Sequence, residues 1–359
     1  MALIRALAIH VPITEPKPEL IVEASIKLLD RTIACCRAVG CSPWTWRVLF
    51  PPLPDSIEYN DVKRMVPEIS GSFSGTKVIV AIPFRIDHPY VDKITELLYE
   101  NDSMYSSVSC TDEFCVQKAV NSIYSRFRDV GMDVYTNFAI AFGSWVESPY
   151  FPATANTSNN TGFSCSLRYV DLVKLSLVEG HGDAVSKFIL DIDNLLKSLS
   201  DCAANPYMGI DASLSPWLTE SVTEVVEFLA GGRLGSVGSF YAIHRLNKYI
   251  AKLIIELKVR SIGYNEVMLP VAEDLLLNER VRDGVVRLKD LMSFSFLCVP
   301  GIDMVAMPYN IDYSRFLLDV LAIHRVKKVS TALRIIPTDL ESGARIVLKR
   351  FGETYVIHI

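Results

Sequence analysis

The sequence predicts an α/β protein, with a mostly parallel sheet or barrel and helices outside it. Three observations lead there. Short apolar segments alternate with helical ones, joined by short links. Lys77-Val-Ile-Val-Ala-Ile-Pro-Phe84 is a continuous apolar run, as expected of a strand covered on both faces. The stretch 183–202 is amphipathic, with Val185, Phe188, Ile189, Ile192, Leu195, Leu196 and Leu199 on one face. At 359 residues the chain is long enough for a large core, and a single domain over 1–359 is expected.

Taken in order, 2–11 reads as a strand. The segment 18–38 reads as a helix, with Pro18 at its start and Gly40 past its end. Strands at 44–50 and 77–84 follow, then a helix at 89–99, a strand at 105–110, a helix at 111–130 and a strand at 134–142. Residues 143–162 form the longest irregular segment, with Ser148-Pro-Tyr-Phe-Pro152 and a tract rich in Asn, Thr and Ser; it reads as a short domain linker or, equally, as a functional surface loop or lid within one domain. Helices are expected at 183–202, 217–230, 239–258, 271–281, 287–296 and 312–328. Strands are expected at 206–211, 302–307, 331–336 and 354–359.

Charge and composition exclude several classes. The net charge is −5 and no Lys/Arg block or basic-aromatic stripe occurs, which argues against a nucleic-acid surface. The apolar start is interrupted by Arg5 and ended by His10 and Pro12, so it reads as a core strand rather than a signal peptide. No stretch is long and charge-free enough to span a bilayer. The eight cysteines include no Cys-x-x-Cys pair, so buried reduced thiols in a cytoplasmic protein are expected.

Three acidic loops carry the strongest chemical signal. Asp211 lies in Tyr207-Met-Gly-Ile-Asp-Ala-Ser213, Glu273 and Asp274 end Val267-Met-Leu-Pro-Val-Ala-Glu-Asp274, and Asp303 ends Phe296-Leu-Cys-Val-Pro-Gly-Ile-Asp303. Carboxylates beside buried segments must be paired, hydrogen-bonded or metal-bound. In parallel α/β folds, polar residues at the C-terminal ends of strands line the site. The expected constellation is therefore Asp211, Glu273, Asp274 and Asp303 around one pocket, suited to acid–base work or to Mg²⁺, Ca²⁺ or Mn²⁺. Ser213 and Ser215 add hydroxyls and Cys298 a thiol that is either a nucleophile or a buried core group. The bland alternative makes Asp211 and Asp303 caps or turn acceptors and Glu273-Asp274 a helix start.

Ser164, Ser166 and Arg168, in Gly162-Phe-Ser-Cys-Ser-Leu-Arg168, suit recognition of a carboxylate or phosphate, or else cap the following helix. The run Gly231-Gly-Arg-Leu-Gly-Ser-Val-Gly-Ser239 follows a helix rather than a strand, so it reads as a helix-to-helix link and not a dinucleotide fingerprint. The six histidines, at 10, 88, 181, 244, 324 and 358, form no metal or hydrolase signature.

Several segments together resemble one family, domain of unknown function 711, also called uncharacterised protein family 0210. They are Ser148-Pro-Tyr-Phe-Pro152, Gly162-Phe-Ser-Cys-Ser-Leu167, Gly209-Ile-Asp-Ala-Ser-Leu-Ser-Pro216, Leu269-Pro-Val-Ala-Glu-Asp274, Cys298-Val-Pro-Gly-Ile-Asp-Met-Val-Ala-Met-Pro308 and Ala332-Leu-Arg-Ile-Ile-Pro337. The resemblance runs from about 148 to the end. It implies a ten-stranded α/β barrel of two parallel half-sheets, similar to pyruvate formate-lyase and anaerobic ribonucleotide reductase. It carries over no catalytic role, because the family has no established activity. Many members have Gly-Thr-His-Gly where Gly238-Ser-Phe-Tyr241 stands, and Arg350-Phe-Gly-Glu353 lacks the glycyl-radical pattern. Two functions are compatible with these residues: an enzyme holding a small polar ligand in the barrel, or a non-catalytic small-molecule sensor or assembly subunit. A divalent cation and a homo-oligomer are both left open.

Overall fold

The computed structural model describes residues 3–73, 75–152, 154–179, 182–298 and 301–359. His181 and the Val299–Pro300 part of the last acidic loop lie outside the described residues. The main sheet has nine strands: β1 (Leu3–His10), β2 (Thr45–Leu49), β3 (Val78–Arg85), β4 (Met104–Cys110), β5 (Phe138–Phe142), β6 (Gly162–Arg168), β7 (Tyr207–Asp211), β8 (Gly301–Pro308) and β9 (Thr331–Thr338). Their order is β7-β6-β1-β2-β3-β4-β5-β9-β8. Strands β1 to β5 are parallel, as are the pairs β6/β7 and β8/β9. The two junctions, β1/β6 and β5/β9, are antiparallel.

The edges of this sheet meet through one segment. Ser261 bridges Ile210 and Val267 bridges Leu214, both in parallel, and Pro270 bridges Asp303 of β8. The stretch 260–270 thus fills the tenth place and closes a barrel of two parallel halves running in opposite directions, as the resemblance implied. Closure removes the exposed edges that an open sheet would leave.

Strand residues alternate around the wall. Val78, Val80 and Ile82 join the large outer core under the helices, while Ala8, Leu49 and Ala81 cluster together on the other face. Three register shifts break the alternation, at Ile4/Ala6 in β1, Phe163/Ser164 between β6 and β7, and Ile302/Val305 in β8. A bulge re-aims a side chain, and these re-aim Arg5 and Asp303 inward.

Several expectations are corrected. Residues 162–168 form strand β6, although Gly, Ser and Cys have little strand preference; burial between β1 and β7 decides it. A helix at Tyr59–Gly71 was not foreseen because Pro67 lies inside it. The strand expected at 354–359 is the second arm of a hairpin, β10 (Arg345–Leu348) with β11 (Gly352–Tyr355). The glycine run, by contrast, is the helix-to-helix link that was expected, with Gly231 left-handed after the helix Val222–Ala230 and Gly238 before Ser239–Leu257.

The 143–162 loop is buried over residues 148–152 and 154–156, while 157–160 stay exposed at the surface. Ser148, Tyr150, Thr154, Ala155 and Asn156 are all at most 2% exposed. Buried backbone needs partners, and this loop has them. Ser148 O accepts from Thr154, Pro149 O from Arg47, Pro152 O from Tyr264, and Asn156 N donates to Phe50 O. Of the cysteines, Cys36, Cys41, Cys165 and Cys298 are buried thiols as expected. Cys35–Cys202 and Cys110–Cys115 are instead disulfides. The first joins helices far apart in sequence, which spacing alone cannot reveal. Among the described residues, no helix is long and apolar enough to cross a membrane.

Candidate functional site

A cavity of about 280 Å³ opens into the barrel where β1 to β4 begin. Its wall repeats the period of the strands, with Thr45 and Arg47 from β2, Lys77 and Ile79 from β3, and Tyr105 from β4. The loop contributes Tyr150 and Phe151, and the β10–β11 turn brings Arg350 and Phe351. Trp44 and Trp217 stand edge to face at the mouth, their centroids 4.6 Å apart.

Two of the expected carboxylates, Glu273 and Asp303, meet here. Arg334 donates to Asp303 through Nε at 2.5 Å and Nη2 at 2.8 Å, and Nη2 also reaches Glu273 at 2.9 Å. On the other side, Arg5 Nη2 donates to Glu273 at 2.6 Å, while its Nη1 donates to Ser215 Oγ and Pro216 O. The two acids are pushed in opposite directions. Burial alone would raise Glu273, but Arg5 and Arg334 flank it and hold it below the usual carboxylate range. Burial raises the Asp303 carboxyl, and Glu273 adds repulsion, against the pull of its one cation.

The cavity carries more positive charge than these two acids offset. Arg47 is engaged only at Nη1, on Pro149 O, and its Nε is buried with no partner among the described residues. Burial and then Arg5 push its guanidinium down to about 10. Lys77 has no side-chain partner among the described residues; partial desolvation, then Arg350 and Arg47, lower its ammonium. Among the described residues, Arg350 bonds only neutral acceptors, Tyr105 Oη, Asn137 Oδ1 and Asp102 O.

The other expected site residues lie elsewhere. Asp211 is fully buried and accepts from Ser148 Oγ, from Ser213 Oγ and N, and from the backbone N–H groups of Tyr264 and Asn265. It ties β7 to the buried loop and to the 260–270 segment, and Ser213 belongs to that knot. Burial pushes its carboxyl up against those donors. Asp274 caps the helix Leu275–Arg282 and accepts from Ser221 Oγ and Thr223 N. Cys298 is buried outside the cavity and burial raises its thiol, the reverse of an activated nucleophile. Ser164 Oγ lies 2.7 Å from His10 Nε2, and Ser166 Oγ is buried without a partner among the described residues. Arg168 forms a two-pronged pair with Glu220 at 2.7 and 2.8 Å. Among the described residues no three acidic, histidine or cysteine side chains are placed to hold a metal ion. Glu273 and Asp303 spend their oxygens on guanidinium groups, so they do not fit a divalent cation.

The basic half of the cavity was missed in the sequence. Arg5, Arg47, Lys77, Arg334 and Arg350 are scattered over the whole chain. A usable signal was present: Arg5, Arg47 and Arg334 each interrupt an otherwise apolar strand.

Comparison with known proteins supports the fold and family. The α subunit of the class Id ribonucleotide reductase of Actinobacillus ureae superposes with a TM-score of 0.52, covering 95% of this chain and 85% of that one at 7% identity. That likeness concerns the fold alone. A UPF0210 protein of Lachnospira eligens is 30% identical over 154 residues, 42% of this chain and 32% of the relative. One from Methanosarcina barkeri is 30% identical over 133 residues, 36% of this chain and 29% of the relative. The matching stretch therefore spans about a third of each relative's length. The model of the family described as Uncharacterised ACR (DUF711) matches residues 87–348, most of the chain, and the chain belongs to that family.

Proposed function

We propose that the barrel cavity binds a small polar ligand and that Asp303 exchanges a proton with it, making the protein an acid–base enzyme. The observation behind this is the pair Glu273 and Asp303: two carboxyls share Arg334 yet are driven apart in acidity. Such a division is how one site keeps an ionised group beside a proton carrier. A cavity of about 280 Å³ suits a compact molecule rather than a large cofactor. The protein is placed in the cytoplasm in this reading, a point that its two disulfides make testable.

The test is a thermal-shift screen of small polar metabolites, followed by turnover assays on every stabilising compound. Asp303→Asn is expected to keep the ligand-induced shift and to lose turnover. Ligands that stabilise both proteins without being converted by either would instead make the protein a non-catalytic sensor. A screen with no stabilising compound, or turnover undiminished in Asp303→Asn, would remove this reading.

A further inference from the structure

We propose that Arg47 and Lys77 form an oxyanion subsite in the cavity and that its ligand is a phosphate monoester. The inference rests on reading the cavity as a ligand site, but not on Asp303 being catalytic.

The argument begins with the strand register. Arg47 of β2 lies opposite Ile79 of β3, which places Lys77 two residues along on the same inward face. With parallel strands about 4.8 Å apart and a rise of about 3.3 Å per residue, such diagonal neighbours sit roughly 8 Å apart, within reach of two long side chains converging on one group. The free donors in the cavity are concentrated there. Arg5 and Arg334 are occupied by Glu273, Asp303, Ser215 Oγ and backbone carbonyls. Among the described residues, Arg47 Nε is buried without a partner and the Lys77 ammonium meets none. Leaving a buried guanidinium N–H without a partner is costly, so a ligand that accepts from it gains more than an exposed contact would.

Charge selects the ligand group. Arg47, Lys77 and Arg350 have no carboxylate within ion-pair distance among the described residues. A monocarboxylate would offset one of these charges. A phosphate monoester near neutral pH carries close to two and offers three terminal oxygens to a fork and a point charge. The organic part would then face the mouth, where Trp44 is 41% exposed beside Trp217.

The experiment titrates the purified protein with inorganic phosphate, phenyl phosphate and benzoate at fixed ionic strength, by calorimetry and by the fluorescence of the mouth tryptophans. Phenyl phosphate is expected to bind about tenfold tighter than benzoate, with inorganic phosphate competing. Lys77→Gln and Arg47→Gln should each weaken phenyl phosphate about tenfold. Lys77 is solvent-exposed, so its variant reports on binding even where Arg47→Gln perturbs the fold. Benzoate binding as tightly as phenyl phosphate, unchanged affinity in Lys77→Gln, or no binding of any of the three would each overturn the subsite. The turnover test of Asp303→Asn is independent of all three results.

Discussion

Arg334 faces Asp303 across the bulge in β8, and its one guanidinium holds both Asp303 and Glu273. Removing a cation that serves two buried carboxylates leaves charge uncompensated in a low-dielectric site. Arg334→Met is therefore expected to cost about 3–5 kcal/mol in denaturant unfolding. Adding Asp303→Asn should recover part of that loss, because one of the stranded charges goes. A single variant as stable as wild type would mean that the pair does not depend on Arg334.

Asp211 governs a pH dependence of opposite sign to ordinary acid unfolding. Its folded carboxyl is raised above the unfolded value of 3.8 by burial, so between those two values the folded chain holds the extra proton. Stability from this group is full below 3.8 and falls as pH rises to the folded value. Asp211→Asn cannot titrate. It should be less stable throughout, since its amide turns a donor towards N–H groups, but flatter with pH in that window. Unfolding midpoints at several pH values for both proteins decide it; parallel curves would contradict the assignment.

Part of this was legible in the sequence. The run Lys77–Phe84 and the helices near 18–38 and 239–258 announced themselves because burial and periodicity leave strong local marks. The acidic loops were harder. A carboxylate beside an apolar segment looks the same whether it lines a cavity, as Glu273 and Asp303 do, or knots a loop, as Asp211 does, or caps a helix, as Asp274 does. Only three-dimensional partners separate these cases. The 143–162 loop is legible only in part for a related reason: Thr157 to Asn160 are solvated as they look, but Ser148, Thr154 and Asn156 are buried and satisfy one another, the loop backbone and Asp211. The cationic wall was invisible to any local window because the closed barrel alone unites Arg5 with Arg350.

Gly263 tests the Asp211 knot from its other side. It sits at φ +79, and a Cβ there would collide with the Asp211 carboxylate and crowd Ser148 Oγ. Gly40 has a similar φ, +75, with open space around it. Gly40→Ala should then cost only the backbone penalty, about 1 kcal/mol. Gly263→Ala should cost about 1–3 kcal/mol more, because the neighbours must move as well. Equal losses in unfolding experiments would show that the knot yields freely.

The two disulfides make very different loops. Cys35–Cys202 closes a separation of 167 residues and staples the helix Pro18–Ala38 to Gly182–Ala203, whereas Cys110–Cys115 closes a separation of 5. In the chain-entropy account, stabilisation grows with the logarithm of loop length, giving about 5 kcal/mol for the long loop and about 2 for the short one as upper values. Cys202→Ala is expected to lower the unfolding midpoint clearly more than Cys115→Ala, and a reductant should lower wild type towards the double variant. Acid-trapping of thiols in intact cells, followed by mass measurement, then bears on compartment. In a cytosol that keeps thiols reduced the long staple would form only after lysis, while its presence at trapping would mean an oxidising compartment or a cytosol of the disulfide-rich thermophilic kind.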